Sequence, residues 1–285
     1  MIPWFTVDEL LRRALQEDVN YLDLSCAFLF APGQRSSAYL LAKAPGVLCG
    51  AEIFVRVFQL LDDSLRFTLK KHDGEAFAAG DILLELEGET ALLLQGERTA
   101  LNLLQHLCGV ATQTAQIVAL VRGTGAQIAD TRKTLPGLRA LQKYAVLCGG
   151  GKNHRFNLSD GVMLKDNHID ACGSIEAAVR AVRTKLGHMV RLEVETRSLD
   201  EVRQALAARA DVIMLDNMPL EEMRQAVRFV RAKAENSATV LEASGDINAE
   251  NVRQAAETGV DVISIGALTH SAKALNISMR LETGA

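Results

Sequence analysis

From residue 126 to residue 265 the chain repeats one pattern: a short apolar run, a polar end, then a longer stretch with apolar residues at helical spacing. Runs at 126–130, 161–165, 190–195, 211–216, 240–244 and 261–265 read as six strands. Short apolar strands alternating with amphipathic helices imply a parallel sheet covered on both faces. Helix punctuation agrees with this. Ser198 and Glu201 form a capping pair, Pro219 falls in a first turn, and Asn248 opens a helix that stops at Gly259.

The first part of the chain has a different grammar. Thr6 with Glu9 suggests a capping box at the start of a helix striped by Leu10, Leu11, Ala14 and Leu15. Segments 38–42, 66–70 and 82–86 alternate as strands, the pair Asp73-Gly74 marks a turn, and 53–61 has helical spacing behind Glu52. Residues 90–107 read as a helical run, continued after Gly109 by 112–121. The division expected is an N-terminal α/β sandwich-like domain over 1–109, then a parallel α/β barrel over 110–270. A C-terminal helix at about 271–285 should return to the first domain.

The barrel reading rests on where the polar residues fall. The six strand ends present Thr131-Arg132-Lys133, Lys165-Asp166, Glu193 and Glu195, Asp216-Asn217, Ser244-Gly245 and Gly266-Ala267. Charges at buried strand ends are costly unless paired or facing a ligand. A closed sheet brings all six sets to one mouth, where such barrels hold their active sites. An open sheet would leave some of them without a role.

Composition narrows the class. The chain has 285 residues, 48% hydrophobic and 23% charged, with a net charge of −4. That balance gives no reason to expect a nucleic-acid or membrane-surface partner. No apolar run is long enough to span a bilayer, and MIPWFTVDEL lacks the pattern of a secretory signal. Five cysteines without CxxC spacing suit reduced thiols in the cytoplasm better than disulfides or a zinc site.

Against this acidic background, residues 129–169 concentrate cations: Arg132-Lys133, Lys152-Asn153-His154-Arg155 and Lys165-Asp166-Asn167-His168. Gly149-Gly150-Gly151 between them could offer backbone amides as an anion nest. This is a layout for a small, multiply anionic substrate. The motifs DTRKTLPGLR, KYAV, CGGGKNHR, LSD and KDNHI, followed by LEVE, IMLDN, LEASGDI and GVDVISIGALTHS, resemble the quinolinate phosphoribosyltransferase family from about Gly96 onward. Glu17-Asp18 to Ser25 is similar to the family's acidic turn, with Leu22 where glycine is expected.

The resemblance implies an atypical, incomplete α/β barrel. It also implies transfer of phosphoribosyl from phosphoribosyl pyrophosphate to quinolinate with loss of carbon dioxide. Thr131, Arg132, His154 and Arg155 match positions that hold quinolinate, and Arg98 matches one supplied by the neighbouring subunit of a homodimer. Lys133 and Lys165 match contacts to phosphoribosyl pyrophosphate, Lys165 standing between the two substrates. Ser244, Gly245, Gly266 and Ala267 match the 5-phosphate site. Glu195 and Asp216 match ligands of Mg²⁺, with no organic cofactor, and they complete a catalytic set with Lys133 and Lys165. His154 and His168 lack partners at metal spacing, and Tyr144 and Cys148 read as packing. Two other readings stay open: a Schiff-base aldolase using a strand-end lysine, and a repurposed relative linked to molybdate transport. The second set of cations argues against the first, and the retained KNHR and KDNH clusters argue against the second.

Overall fold

The structure is a computed structural model that describes residues 2–232 and 238–282. The chain divides into two compact units. The first is Met1–Ala115 with Thr134–Gly150 and Leu268–Ala285, and the second is Gln116–Lys133 with Gly151–Ala267.

The first unit contains α1 (Trp4–Asp18), α2 (Leu24–Leu29), β1 (Arg35–Ala42), β2 (Gly46–Val47), α3 (Ala51–Gln59), β3 (Arg66–Leu69), β4 (Ala76–Phe77) and β5 (Ile82–Glu89). The long α4 (Thr90–Leu120) follows and ends in the second unit. Helix α1 begins at Trp4 behind Pro3, with no side-chain cap, so the Thr6–Glu9 box does not form. The helix thus starts two residues before Thr6. Helix α4 runs unbroken through Gly109, because this glycine is a contact surface and not a stop: a Cβ there would sit 2.1 Å from the Lys273 carbonyl oxygen. Asp23 accepts a hydrogen bond from the Cys26 amide at 3.0 Å and caps α2, which gives the acidic turn a structural task.

The second unit carries β6 (Gln127–Ala129), and α5 (Arg139–Cys148) then returns to the first. In the second unit follow β7 (Val162–Leu164), α6 (Asp166–Cys172), α7 (Ile175–Arg183), β8 (Leu192–Thr196), α8 (Leu199–Ala207), β9 (Val212–Asp216), α9 (Leu220–Arg231), β10 (Val240–Ser244), α10 (Val252–Ala256) and β11 (Val262–Ser264). The last elements are α11 (Ala267–His270) and β12 (Ile277–Leu281). Ser198 caps α8 through the Glu201 amide at 3.2 Å, as its spacing predicts. Asn251 directly precedes α10 without a side-chain cap, and Asn248 Oδ1 accepts the Glu250 amide at 2.8 Å in the turn that leads into the helix.

The expected C-terminal helix is a strand. Ile277 and Met279 point inward while Ser278 and Arg280 alternate away, a period of two that a helix cannot bury. β12 pairs antiparallel with β1, with Leu40 opposite Met279, and completes the sheet β12-β1-β5-β3. The core of this unit lies under that sheet, around Leu40, Leu84, Phe54 and Phe58.

The second unit holds the six expected strands in one parallel sheet, in the order β6-β11-β10-β9-β8-β7. Among the described residues no ladder joins β6 to β7, so the barrel is incomplete. The 152–155 segment fills the gap. Lys152 bridges β6 through its amide to Ile128 O at 2.8 Å, and its carbonyl accepts from the Asp130 amide at 3.1 Å. Arg155 then reaches β7, donating to Gly161 O at 2.8 Å and lying 3.7 Å from Met163 Sδ.

Candidate active site

In parallel strands, residues paired in register point the same way. The pairs Met163↔Glu193, Glu195↔Met214, Glu242↔Met214, Ser244↔Asp216 and Ser264↔Ala129 therefore set one face of the sheet. That face carries Glu193, Glu195, Asp216, Glu242, Ser244 and Ser264. The opposite face of the same strands is Val194, Ile213, Leu215, Leu241, Ala243 and Ile263, all buried against helices. The charged strand residues thus share the interior face, while Thr196 on the opposite face satisfies its hydroxyl by donating to Met214 O at 2.8 Å.

Arg132 and Arg155 lie close together on this interior. Burial, and then the positive charge of Arg132, hold the Arg155 guanidinium below the usual arginine range, opposed by Glu193. Arg132 Nε is buried and has no hydrogen-bond partner among the described residues. Leaving such a donor unsatisfied costs about 1–3 kcal/mol, which an anionic ligand would recover. Thr131 Oγ1 accepts the Lys133 amide at 3.0 Å, leaving its own proton to donate. Lys133 is exposed.

His154 is committed to the protein. Its amide donates to Asp130 Oδ1 at 2.9 Å, and Asp130 is fully buried. Its Nδ1 accepts the Arg155 amide at 2.7 Å, so the ring proton of the neutral form sits on Nε2. Nε2 lies 3.2 Å from Glu193 Oε2 and 3.5 Å from Glu242 Oε1, side chains from β8 and β10. The imidazole therefore spans the barrel interior and anchors the 152–155 segment. Burial and the neighbouring Glu193 carboxylate push Glu242 up to about 7, with His154 and Ser264 partly opposing. The three groups also have the donor atoms of a cation site. Glu242 is absent from the strand-end set read in the sequence. The available signal was its place, a charged residue inside an apolar run and two positions before Ser244, on the same face.

Lys165 follows β7 and its Nζ lies 2.9 Å from Glu195 Oε2. The Lys165 amide donates to His168 Nδ1 at 3.1 Å, which fixes the lysine's backbone, while Asp166 pairs with Arg197. Asp216 Oδ2 accepts Asn217 Nδ2 at 3.0 Å. Asn217 has φ 52° and its amide donates to Ser244 O at 2.9 Å, tying the ends of β9 and β10 together. Gly245 follows at φ 90°, where a Cβ would fall 2.2 Å from Asn217 Oδ1, so this turn requires glycine. Gly266 and Ala267 follow β11.

The glycine loop does not serve as an anion nest through its first two amides. Gly149 N donates to Ala145 O at 3.0 Å and Gly150 N to Leu147 O at 2.9 Å, closing the end of α5. Arg98 is exposed on α4 in the first unit.

Six parallel strands whose ends gather arginines, lysines and carboxylates on one interior face define a barrel-type enzyme for small, multiply anionic substrates. The family models for quinolinate phosphoribosyl transferase match the chain over residues 23–108 for the N-terminal domain and 110–280 for the C-terminal domain. The chain is 45% identical to a probable nicotinate-nucleotide pyrophosphorylase [carboxylating] of Bacillus subtilis, covering 95% of this chain and 92% of that protein. A nicotinate-nucleotide pyrophosphorylase [carboxylating] of Mycobacterium leprae is 42% identical, with 95% of each chain covered. The solved structure of NadC from Streptococcus pyogenes superposes with a TM-score of 0.94 at 42% identity, covering 99% of this chain and 98% of that one. The chain belongs to the quinolinate phosphoribosyltransferase family. Its reaction transfers phosphoribosyl to quinolinate with decarboxylation, in the biosynthesis of NAD.

Proposed function

We propose that the interior face at the C-terminal strand ends carries this reaction, with Arg132 and Arg155 gripping the two carboxylates of quinolinate. The observation that carries the assignment is the arginine pair itself. Two like charges close enough to depress Arg155, one with a buried and unpartnered Nε, form a preorganised anion site. Guanidinium forks match planar carboxylates, and Thr131 offers a hydroxyl donor beside them. His154, with both ring nitrogens engaged, supports this site from behind by fixing the 152–155 segment.

Lys133 and Lys165 are the cations for phosphoribosyl pyrophosphate, and Ser244, Gly245, Gly266 and Ala267 receive its 5-phosphate at the ends of β10 and β11. Glu195 and Asp216 offer an all-oxygen donor set on the same face of adjacent strands, which suits Mg²⁺. When bound, that ion neutralises charge on the pyrophosphate. The chain's own carboxylates face the positive charge that develops on the ribose, and its lysines stabilise the departing pyrophosphate. The pyridine nitrogen bonds to the anomeric carbon as that carbon's bond to the pyrophosphate oxygen breaks, and pyrophosphate leaves with the electron pair. The ring carboxylate next to that nitrogen then leaves as carbon dioxide, and the carbon takes up a proton.

The active unit proposed is a homodimer in which Arg98 completes the neighbour's site. Its support is the exposed apolar surface of α1 and α2, where Phe5 is 99% and Phe28 80% exposed, with Leu24 and Leu29 beside it. A cytoplasmic location agrees with five cysteines that are all free thiols. No helix among the described residues is long and apolar enough to cross a membrane. Incubation with quinolinate, phosphoribosyl pyrophosphate and Mg²⁺ should yield nicotinate mononucleotide and carbon dioxide, with nicotinic acid a poor substitute. Comparable turnover of nicotinic acid would overturn the two-carboxylate role of Arg132 and Arg155.

A further inference from the structure

Three residues remote in sequence and outside the strand-end site meet in the first unit. Cys49 lies between β2 and α3, Asp73 lies in the turn before β4, and Cys148 is the last residue of α5. Their sulfur and carboxylate oxygen atoms all lie within 4.8 Å of one another. We propose that Cys49, Asp73 and Cys148 form a binding site for a thiophilic divalent cation, with Zn²⁺ the member of that class whose ligand preferences fit best.

The carboxylate is held in place before any ion arrives. Asp73 Oδ1 accepts the Ala51 amide at 3.0 Å, and Oδ2 accepts the Gly50 amide at 2.9 Å and the Tyr144 hydroxyl at 2.8 Å. A carboxylate has about four lone-pair positions, so three are filled and one remains for a ligand. The amides belong to the start of α3 and the hydroxyl to α5, the same helix that carries Cys148. Such outer contacts orient ligands in metal sites.

The sulfurs complete the donor set. Cys49 is fully buried and Cys148 is half-buried, so an ion reaches the site from the Cys148 side. A thiolate is the form that binds metal, and binding would release the thiol protons. Cys108 is not a fourth ligand here, since its Sγ sits against the Cys49 backbone, 3.4 Å from the amide nitrogen and 3.5 Å from the carbonyl oxygen. Two sulfurs and one oxygen disfavour Mg²⁺, which takes oxygen ligands, and suit Zn²⁺ with solvent in the fourth position. A bound ion would join the start of α3, the turn before β4 and the end of α5.

Metal-free, reduced enzyme titrated with Co²⁺, the spectroscopic stand-in for Zn²⁺, tests this directly. The expected result is a thiolate-to-cobalt charge-transfer absorption that saturates at one equivalent, is removed by Zn²⁺ and survives excess Mg²⁺. Cys148→Ser and Asp73→Asn should each weaken Co²⁺ binding by on the order of tenfold or more, while phosphoribosyl transfer without added Co²⁺ or Zn²⁺ stays near wild type. Zn²⁺ should also protect Cys148 of the wild-type enzyme from alkylation, read by mass spectrometry. Absence of the thiolate band in wild type overturns the proposal. So does a band unchanged in Cys148→Ser, or one lost only in Cys108→Ser. If Cys49→Ser does not fold, the Cys148 and Asp73 variants and the wild-type titration still decide the matter.

Discussion

Lys165 and Glu195 form an ion pair of 2.9 Å between the ends of β7 and β8, one step beyond the paired residues Leu164 and Val194. The lysine therefore stands beside a proposed metal ligand before any substrate is present. Lys165 is 47% exposed at its side chain, so the pair itself contributes little to folding. Its value is positional under the proposed reading, in which this ammonium group serves both pyrophosphate and quinolinate. Lys165→Ala should lower kcat by roughly 10²–10³, the range for loss of one preorganised electrostatic group, without a large change in melting temperature. Steady-state kinetics showing less than a tenfold loss would remove Lys165 from the catalytic set.

Glu195→Ala and Asp216→Ala should weaken phosphoribosyl pyrophosphate more than quinolinate, because the two carboxylates are assigned to the metal that accompanies the pyrophosphate. Calorimetry with each substrate separately, at saturating Mg²⁺, distinguishes the two. The reverse order would move the metal elsewhere, and the cluster of His154, Glu193 and Glu242 is the alternative donor set on the same face.

Gly245→Ala links backbone strain to that same site. The new Cβ would require Asn217 to move, and Asn217 Nδ2 holds Asp216 Oδ2 at 3.0 Å. Strain at φ 90° adds a folding cost on the order of 1–3 kcal/mol. The expected outcome is a lower melting temperature together with a raised KM for phosphoribosyl pyrophosphate. A fall in stability with an unchanged KM would separate the turn from the Asp216 carboxylate.

Glu242 gives a pH dependence whose sign is fixed. Its carboxyl titrates at about 7 in the fold against 4.5 as an ordinary glutamate, because burial and then Glu193 disfavour its charged form. Between those values the folded state holds a proton that the unfolded chain has released. This contribution to stability is therefore full below pH 4.5, declines as pH rises through the window, and is lost above about 7. Glu242→Gln, which cannot ionise, should flatten the fall in melting temperature across that window. A variant with the wild-type slope would show that another group controls it.

Most of the strand plan was legible because each barrel strand is an apolar run closed by polar residues, a signal that survives without tertiary context. The arginine pair was legible by residue type, since Arg132 and Arg155 come from clusters next to strand ends. β12 was harder. Five residues of alternation at Ile277–Leu281 are short, and only the pairing with β1 decides in favour of a strand. The engagement of His154 was also invisible, because Glu193 and Glu242 come from strands separated by β9 and meet only across the interior. Cys49, Asp73 and Cys148 have no spacing that marks them. Their meeting depends on how α5 returns to the first unit.

Arg98 supplies the last and most discriminating prediction. It is exposed on α4, while Arg132, Arg155 and Lys165 lie in the other unit of the chain. If Arg98 completes the site of a second subunit in a closed two-fold dimer, each site contains parts of both chains. Arg98→Ala and Lys165→Ala homodimers should then both be nearly inactive, since every site in each lacks one part. In a mixed dimer, both lesions fall in one site, and the other site combines an intact Lys165 with an intact Arg98. Random exchange makes half of the dimers mixed, each with one working site, so activity should return to roughly a quarter of wild type. Mixing the purified variants, confirming exchange by mass spectrometry and assaying carbon dioxide release gives the measurement. If fully exchanged, folded dimers remain inactive, Arg98 acts within its own chain or has no part in the site.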